Sequence, residues 1–417
     1  MRRLYNAASS VIQPGKLAGI LAVWAVTLLY VLFQGGKTSF MLFSMVSLLT
    51  LYLIFGGFGG IRRAKGSRKL YGDHGGKTDL LHAGGHLRVK LNISIPGFLP
   101  LPYIIVREML KRHNGESWVF EESFVPNLRG TGELRFQTPS LERGTYTFSN
   151  TEIVSEDIFG LVEHKGSFEA EGKFRVLPRV VYIPRWTLYE RNSRLAGHQT
   201  SLAHSRRETT QINGVRDYVY GDRMTRIHWN ATAKTGTWKS KEFEHESIPK
   251  TMIVLDCTAT AYSTTQQFEL AVSAAASLLG FGVRDRIEIG LCVLDRNVKV
   301  FVPSENGSER QMMIQYLVDV EADGRGSMVT RLERGQSLFP KGSYMVLVSP
   351  QAGGPAFEVL RWAENRGLTP CHVHIMSPAG FRRREEWENM LKSRGASGYS
   401  VGALSELPAA LGGEGVR

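Results

Sequence analysis

Two long runs without a charged residue, close to the N-terminus, constrain this chain more than any other feature. Residues 17–33 read LAGILAVWAVTLLYVLF and residues 39–60 read SFMLFSMVSLLTLYLIFGGFGG. A helix needs roughly 20 apolar residues to cross the hydrocarbon core, and charges at the bilayer centre are costly. The two runs therefore predict a two-helix transmembrane hairpin within residues 1–69. Arg2 and Arg3 precede the first run, as in a cleaved leader. No small-x-small cleavage site follows Phe33, however, and the second run begins within six residues. Arg2, Arg3 and Lys16 lie before the first run and Arg62, Arg63, Lys65, Arg68 and Lys69 after the second, with only Lys37 between. Positive flanks stay inside, which predicts a multi-pass protein of the cell membrane with both termini and all later domains in the cytoplasm. The same flanks would face anionic lipid headgroups.

The charge balance follows from this layout. The chain has 51 Lys and Arg against 39 Asp and Glu, a formal net charge of +12. Residues 1–69 hold nine of those bases and no acid, which leaves the rest of the chain at only +3. A basic surplus of this kind belongs to the two apolar runs and argues against nucleic acid as a partner. The three cysteines, Cys257, Cys292 and Cys371, are widely spaced and lack a Cys-x-x-Cys pair. They read as small buried apolar residues of a reducing compartment, with no disulfide frame or zinc site.

Past the apolar runs the pattern changes once. In residues 70–185, Leu87, Val89, Leu91, Ile93 and Ile95 alternate as a half-buried strand requires. Further short strands, such as SWVFEESF, GELRFQTP, GTYTFSN and KFRVLP, are separated by Gly, Asn or Pro turns. This spacing predicts a β-sandwich domain of immunoglobulin-like size. From 251 to 402 short apolar strands alternate with helices, beginning with TMIVLDC at 251–257. That alternation predicts a doubly wound α/β domain around a parallel sheet. Residues 403–417, rich in Gly and Ala, read as a loose tail.

The connector, residues 186–250, contains GVRDYVYGDRMTRIHWNATAKTGTWKSKEFEHES at 214–247. Asp222 is a good N-cap for a short helix running to about Lys234, with Gly236 as its C-terminal stop. Arg226, Trp229 and Ala233 would share one face of that helix, Trp229 packed beneath it. The run Arg216, Tyr218, Gly221, Asp222, Arg226, Trp229, Ala233, Lys234 resembles the signature of the bacterial family numbered 58 among the domains of unknown function. Arg143-Gly144-Thr145-Tyr146, followed by Glu156-Asp157-Ile158-Phe159-Gly160-Leu161, resembles a second stretch of that family, with Ile158 where proline is usual. The resemblance implies that the α/β domain is similar to von Willebrand factor A domains. It also implies a membrane-bound scaffold or adaptor partnered with a MoxR-type AAA+ ATPase and a transglutaminase-like membrane protein, in complex assembly or envelope maintenance.

Two places could carry chemistry. Asp256-Cys257-Thr258-Ala259-Thr260 ends the first α/β strand, where ligands bind in open α/β sheets. It resembles the Asp-x-Ser-x-Ser of a metal-dependent adhesion site, with Asp256, Thr258 and Thr260 as hard oxygen ligands for magnesium. The set is incomplete, because Ser349-Pro350 stands where a second Asp is expected and Thr330 is an unanchored third hydroxyl. The bland reading is a capped turn. The 216–246 signature offers Asp222, Arg226, His228, Glu242, Glu244 and Glu246, but no nucleophile–base–orienter set. Partner docking through the signature is therefore the first expectation, and an enzyme of unassigned chemistry the alternative. His372 and His374 alternate on one strand and read as packing, and Arg382–Glu386 as a solvated helix face.

Overall fold

The computed structural model describes residues 14–56, 60–72, 81–97, 101–156, 163–170, 172–189, 207–246, 249–377 and 384–412. The chain divides into two compact units, Met1–Leu177 and Pro178–Arg417.

In the first unit the two apolar runs form helices α1 (Pro14–Gln34) and α2 (Lys37–Gly56). They pack on each other through the Trp24 and Phe43 rings, 5.8 Å apart, and a hydrogen bond from Trp24 Nε1 to Ser47 Oγ of 3.1 Å. Among the described residues, however, no helix is long and apolar enough to cross a membrane. This overturns the expected transmembrane hairpin, and with it the membrane localisation and the orientation drawn from the flanks. The flank itself has another use. Residues 61–63 form a 3₁₀ turn and β1 (Lys65–Tyr71) follows at once, so Lys65, Arg68 and Lys69 belong to a folded sheet.

Strand β1 pairs with β2 (Arg88–Ser94), which pairs on its other side with β5 (Thr131–Gln137). A second sheet is built from β3 (Ile104–Arg112), β4 (Ser117–Phe124), β6 (Gly144–Phe148), β7 (Thr151–Glu156), β8 (Glu163–Phe168) and β9 (Lys173–Val176), in the order β8-β7-β3-β6-β9 with β4 beside β3. All pairings are antiparallel. Leu91, Ile93 and Leu134 of the first sheet share a core with Ile104, Val106, Ile153 and Phe168 of the second, so the sheets face each other. The Arg143–Tyr146 stretch is structural. The Arg143 carbonyl accepts from Arg112 Nε at 3.0 Å and Nη2 at 2.6 Å, and a Cβ at Gly144 would meet that Nε at 3.0 Å. Tyr146 stacks on Phe174, and burial pushes its phenol up to about 12. Asp157–Leu161, including Ile158, lie outside the described residues.

The second unit opens with a two-stranded arm, β10 (Arg207–Asp217) and β11 (Lys239–Glu246), whose tip carries helix α3 (Trp229–Thr235). The α/β sheet comprises β12 (Thr251–Asp256), β13 (Ile289–Leu294), β14 (Lys299–Ser304), β15 (Tyr344–Ser349), β16 (Thr369–Ile375) and β17 (Ser397–Val401). Its order is β14-β13-β12-β15-β16-β17, all parallel except the edge strand β14. Strands β12, β13 and β15 are buried on both faces, which is why they read as unbroken apolar runs. Helices α4 (Thr265–Arg284) and α5 (Gly307–Asp319) cover one face, with Ile183, Trp186 and Tyr189 in the same core. Helices α6 (Met328–Gly335) and α7 (Gly354–Glu364) cover the other, and α8 (Arg384–Ser393) packs on α7.

Up to Gly412 the tail does not lie loose. Helix α9 (Leu407–Ala410) buries Leu407, and Leu411 after it is equally buried, while the Leu411 carbonyl accepts from Thr187 N at 2.9 Å. Gly and Ala composition concealed two core leucines whose partners lie far away in sequence. Leu411→Ala should cost about 2–5 kcal/mol, measured by denaturant unfolding; a cost below about 0.5 kcal/mol would mean the segment is only loosely held.

Candidate functional site

The 214–247 signature forms the tip of the arm. The strands run in register from Gly214↔Glu242 to Asp217↔Lys239. Between them the chain turns at Gly221 (φ 109°), makes a 3₁₀ turn at Met224–Arg226, buries Ile227, and enters α3. Gly236, at φ 70°, ends α3 with its N–H on the Thr232 carbonyl, as a left-handed C-terminal stop requires.

Three expectations are corrected here. The helix starts at Trp229, not after Asp222, and its cap is His228, whose Nδ1 accepts from Ala231 N at 3.1 Å. Asp222 instead takes a two-pronged bond from Arg216, Nη1 to Oδ2 and Nη2 to Oδ1, both 2.8 Å, and accepts from Val219 N. The Arg216 hydrogen bonds hold its carboxyl below the usual range. Arg226, half-buried, sits in the 3₁₀ turn and so shares no helical face with Trp229 and Ala233. Trp229 does not pack beneath the connector, since 62% of it is exposed. Its ring lies 6.0 Å from Trp238, itself 50% exposed, which lies 6.0 Å from half-buried Tyr218. Tyr220, Val219 and Met224 are also exposed at this tip, Tyr220 completely. The only cover two strands can give is a thin one, and the tip's large side chains are left facing outward. Lys234 is exposed, and the Glu242, Glu244 and Glu246 side chains lie outside the described residues.

The second candidate lies at the C-terminal end of β12, where β12 leads into α4 on one face of the sheet and its neighbour β15 into α7 on the other. Asp256 is wholly buried. Its Oδ1 accepts from Thr258 N at 2.9 Å and Thr258 Oγ1 at 2.5 Å, and its Oδ2 from Ser349 Oγ at 2.8 Å and Gln351 Nε2 at 3.0 Å. The structure brings Asp256 and Thr258 together but leaves Thr260 exposed and away from them. Thr330 is exposed on α6, and its neighbour Arg331 points inward, Nη2 3.6 Å from Asp256 Oδ1. Arg331 was missed from sequence because it lies on a short helix 75 residues downstream. Among the described residues no three His, Cys, Asp or Glu side chains converge as a metal site would need.

Beside Ser349, His372 is buried. Its Nδ1 accepts from Trp387 Nε1 at 3.1 Å and its Nε2 donates to the Ser349 carbonyl at 3.3 Å. His374 Nε2 donates to the Pro350 carbonyl at 3.2 Å. Both histidines pack β16 against α8, as structural side chains do. Arg382 and Arg383 lie outside the described residues.

Residues 214–379 match the model of a protein family of unknown function, DUF58. An uncharacterised protein of Bacillus subtilis (strain 168), YeaD, is 24% identical over 318 residues, covering 74% of this chain and 75% of its own. Proximal thread matrix protein 1 of the mussel byssus aligns at 14% identity over 39% of this chain and 45% of its own, with a TM-score of 0.28. A CARDB domain from Pyrococcus furiosus aligns at 15% over 27% of this chain and 87% of its own, with a TM-score of 0.18. Neither structural likeness is close enough to bear on fold or function. The DUF58 match spans the distal arm and most of the α/β sheet.

Proposed function

We propose that this protein is a non-enzymatic adaptor that docks a partner protein on the tip of its β10–β11 arm. The observation that carries the reading is the exposed Trp229–Trp238 pair, with Tyr220 fully exposed near it in the chain. Trp, Tyr and Arg are the side chains that most often dominate binding energy, and clustered exposed apolar surface marks interaction sites. Asp217 and Asp222, the only acids between 216 and 241, are already in ion pairs with Lys239 and Arg216. Arg223 and Lys234 then leave the tip positive, so the partner it fits presents an acidic rim around an apolar pocket. A MoxR-type AAA+ ATPase is the partner that the family resemblance suggests. The catalytic alternative gains no support from the site, because Asp222 is committed to Arg216 and His228 to capping α3.

Titrating a purified MoxR-type ATPase against the full chain tests this. Trp229→Ala and Trp238→Ala should each weaken binding by about 30-fold, near 2 kcal/mol, with the melting temperature within about 2 °C of the parent. Wild-type protein that shows no affinity, or variants that bind unchanged, would end the proposal.

A further inference from the structure

The resemblance to an adhesion-type site implies a magnesium ion at Asp256 and Thr258, and the residues present do not fit one. We infer that Arg331 is a resident cation standing where the divalent metal would be, so that the Asp256 site is closed to metal ions. Four observations on separate parts of the chain support this.

The guanidinium and the carboxylate are both buried, Arg331 at 3% side-chain exposure and Asp256 at 0%. A buried carboxylate requires a counter-charge, and Arg331 supplies it. The oxygen lone pairs are also engaged. Asp256 accepts four hydrogen bonds from Thr258, Ser349 and Gln351. Thr258 Oγ1 donates to Asp256 and accepts from Arg331 Nη2, so the lone pair that would bind a metal is turned to the guanidinium. Arg331 Nη1 donates to the Leu294 carbonyl at the end of β13, which fixes the fork in place.

The third observation is a cradle. Gly324 hydrogen-bonds to both sides of the Asp256 loop, its N–H to the Cys257 carbonyl and its carbonyl to Ala259 N–H. A Cβ there would lie 2.0 Å from Arg331 Nη1. The absent side chain leaves room for the guanidinium. Finally, the hydroxyl and the carboxylate that would complete a metal site are missing from it. Thr260 is exposed, and β15 ends in Ser349, a hydrogen-bond donor to Asp256. Magnesium demands near-octahedral oxygen ligation, and a guanidinium in the same space would repel it.

The test is manganese titration of the full chain by electron paramagnetic resonance, with melting in EDTA and in magnesium. Wild-type protein should leave manganese free and melt within about 1 °C in either buffer. Arg331→Ala strands the Asp256 carboxylate, and its lowered melting temperature should recover by on the order of 5 °C when magnesium or manganese fills the space. Arg331→Ala combined with Asp256→Asn should show no such recovery. If Arg331→Ala does not accumulate, Arg331→Gln keeps a hydrogen-bonding group without the charge and takes its place. Stoichiometric manganese binding by the wild type that Asp256→Asn abolishes would overturn the inference. Variants lacking the Arg331 charge whose melting ignores metal would overturn it too.

Discussion

Replacing Glu108 with alanine should destabilise the N-terminal unit by about 3–5 kcal/mol, because it leaves the Arg68 guanidinium buried without a counter-charge. The Arg68 side chain is completely buried and that of Glu108 nearly so, with Nη2 2.5 Å from Oε2. Thr151 Oγ1 donates to Glu108 Oε1 at 2.6 Å, Arg68 Nη1 donates to the Ala170 carbonyl at 2.7 Å, and the guanidinium lies 4.3 Å from the centre of the Phe148 ring. Burial lowers the Arg68 pKa and raises that of Glu108, each against the pull of its partner. Desolvation therefore outweighs the attraction between them. The pair adds little net stability, but removing one half exposes the whole desolvation cost of the other. For a unit of this size the loss corresponds to a fall in melting temperature of roughly 10 °C. The double variant Arg68→Met, Glu108→Leu should recover most of it, since a matched apolar pair often equals or exceeds a buried ion pair. If the double variant is as unstable as Glu108→Ala, the pair holds the fold together and the desolvation argument fails. Denaturant unfolding followed by circular dichroism decides.

Arg68 also shows why the sequence misleads at the N-terminus. A base following a long apolar run is conventionally an orientation signal, and nothing local distinguishes it from a core residue whose partner is 40 positions away. The strand patterns were easier to read. Leu87, Val89, Leu91, Ile93 and Ile95 alternate in sequence and are all buried, because a period of two is a local property that tertiary contacts only have to accept. The runs of β12, β13 and β15 are equally plain, since burial on both faces removes polar residues altogether. The arm was partly legible. Gly236 stops its helix as expected, but Asp222 had two competing uses, and a guanidinium six residues earlier outbid the helix N-terminus. Trp229 followed the rule that large aromatics go inside, yet a two-stranded arm has too little interior to hold it. In the Asp256 site the acid and Thr258 were visible, whereas Arg331 and Gly324 become part of it only through the sheet's crossover connections.

The buried histidine beside that site makes the α/β unit sensitive to acid. Burial, then the neighbouring His374, push His372 down to about 3 from an ordinary value of 6.5, against the pull of its bond to the Ser349 carbonyl. His374 is lowered for the same first reason, partly offset by its bond to Pro350 and by Glu388. A histidine whose folded pKa is depressed stays neutral in the native state while the unfolded chain takes up a proton. Its contribution is constant above about pH 6.5 and is lost as pH falls from there toward 3. At pH 5 the loss from His372 is about 2 kcal/mol, from 1.5 pH units at 1.36 kcal/mol each, and His374 adds to it. His372→Gln retains a group able to accept from Trp387 Nε1 and donate to the Ser349 carbonyl but cannot titrate. Its unfolding free energy should therefore fall less steeply between pH 6.5 and 5 than that of the parent, even where its value at pH 7.5 is lower. Protonation at His372 Nδ1 sets two N–H groups against each other, His372 and Trp387, so acid loosens the contact between β16 and α8, while the bond from Nε2 to the Ser349 carbonyl is kept. Parallel pH profiles for His372→Gln and the parent would show that His372 remains neutral for no energetic reason, and the acid sensitivity would have to be sought in the carboxylates.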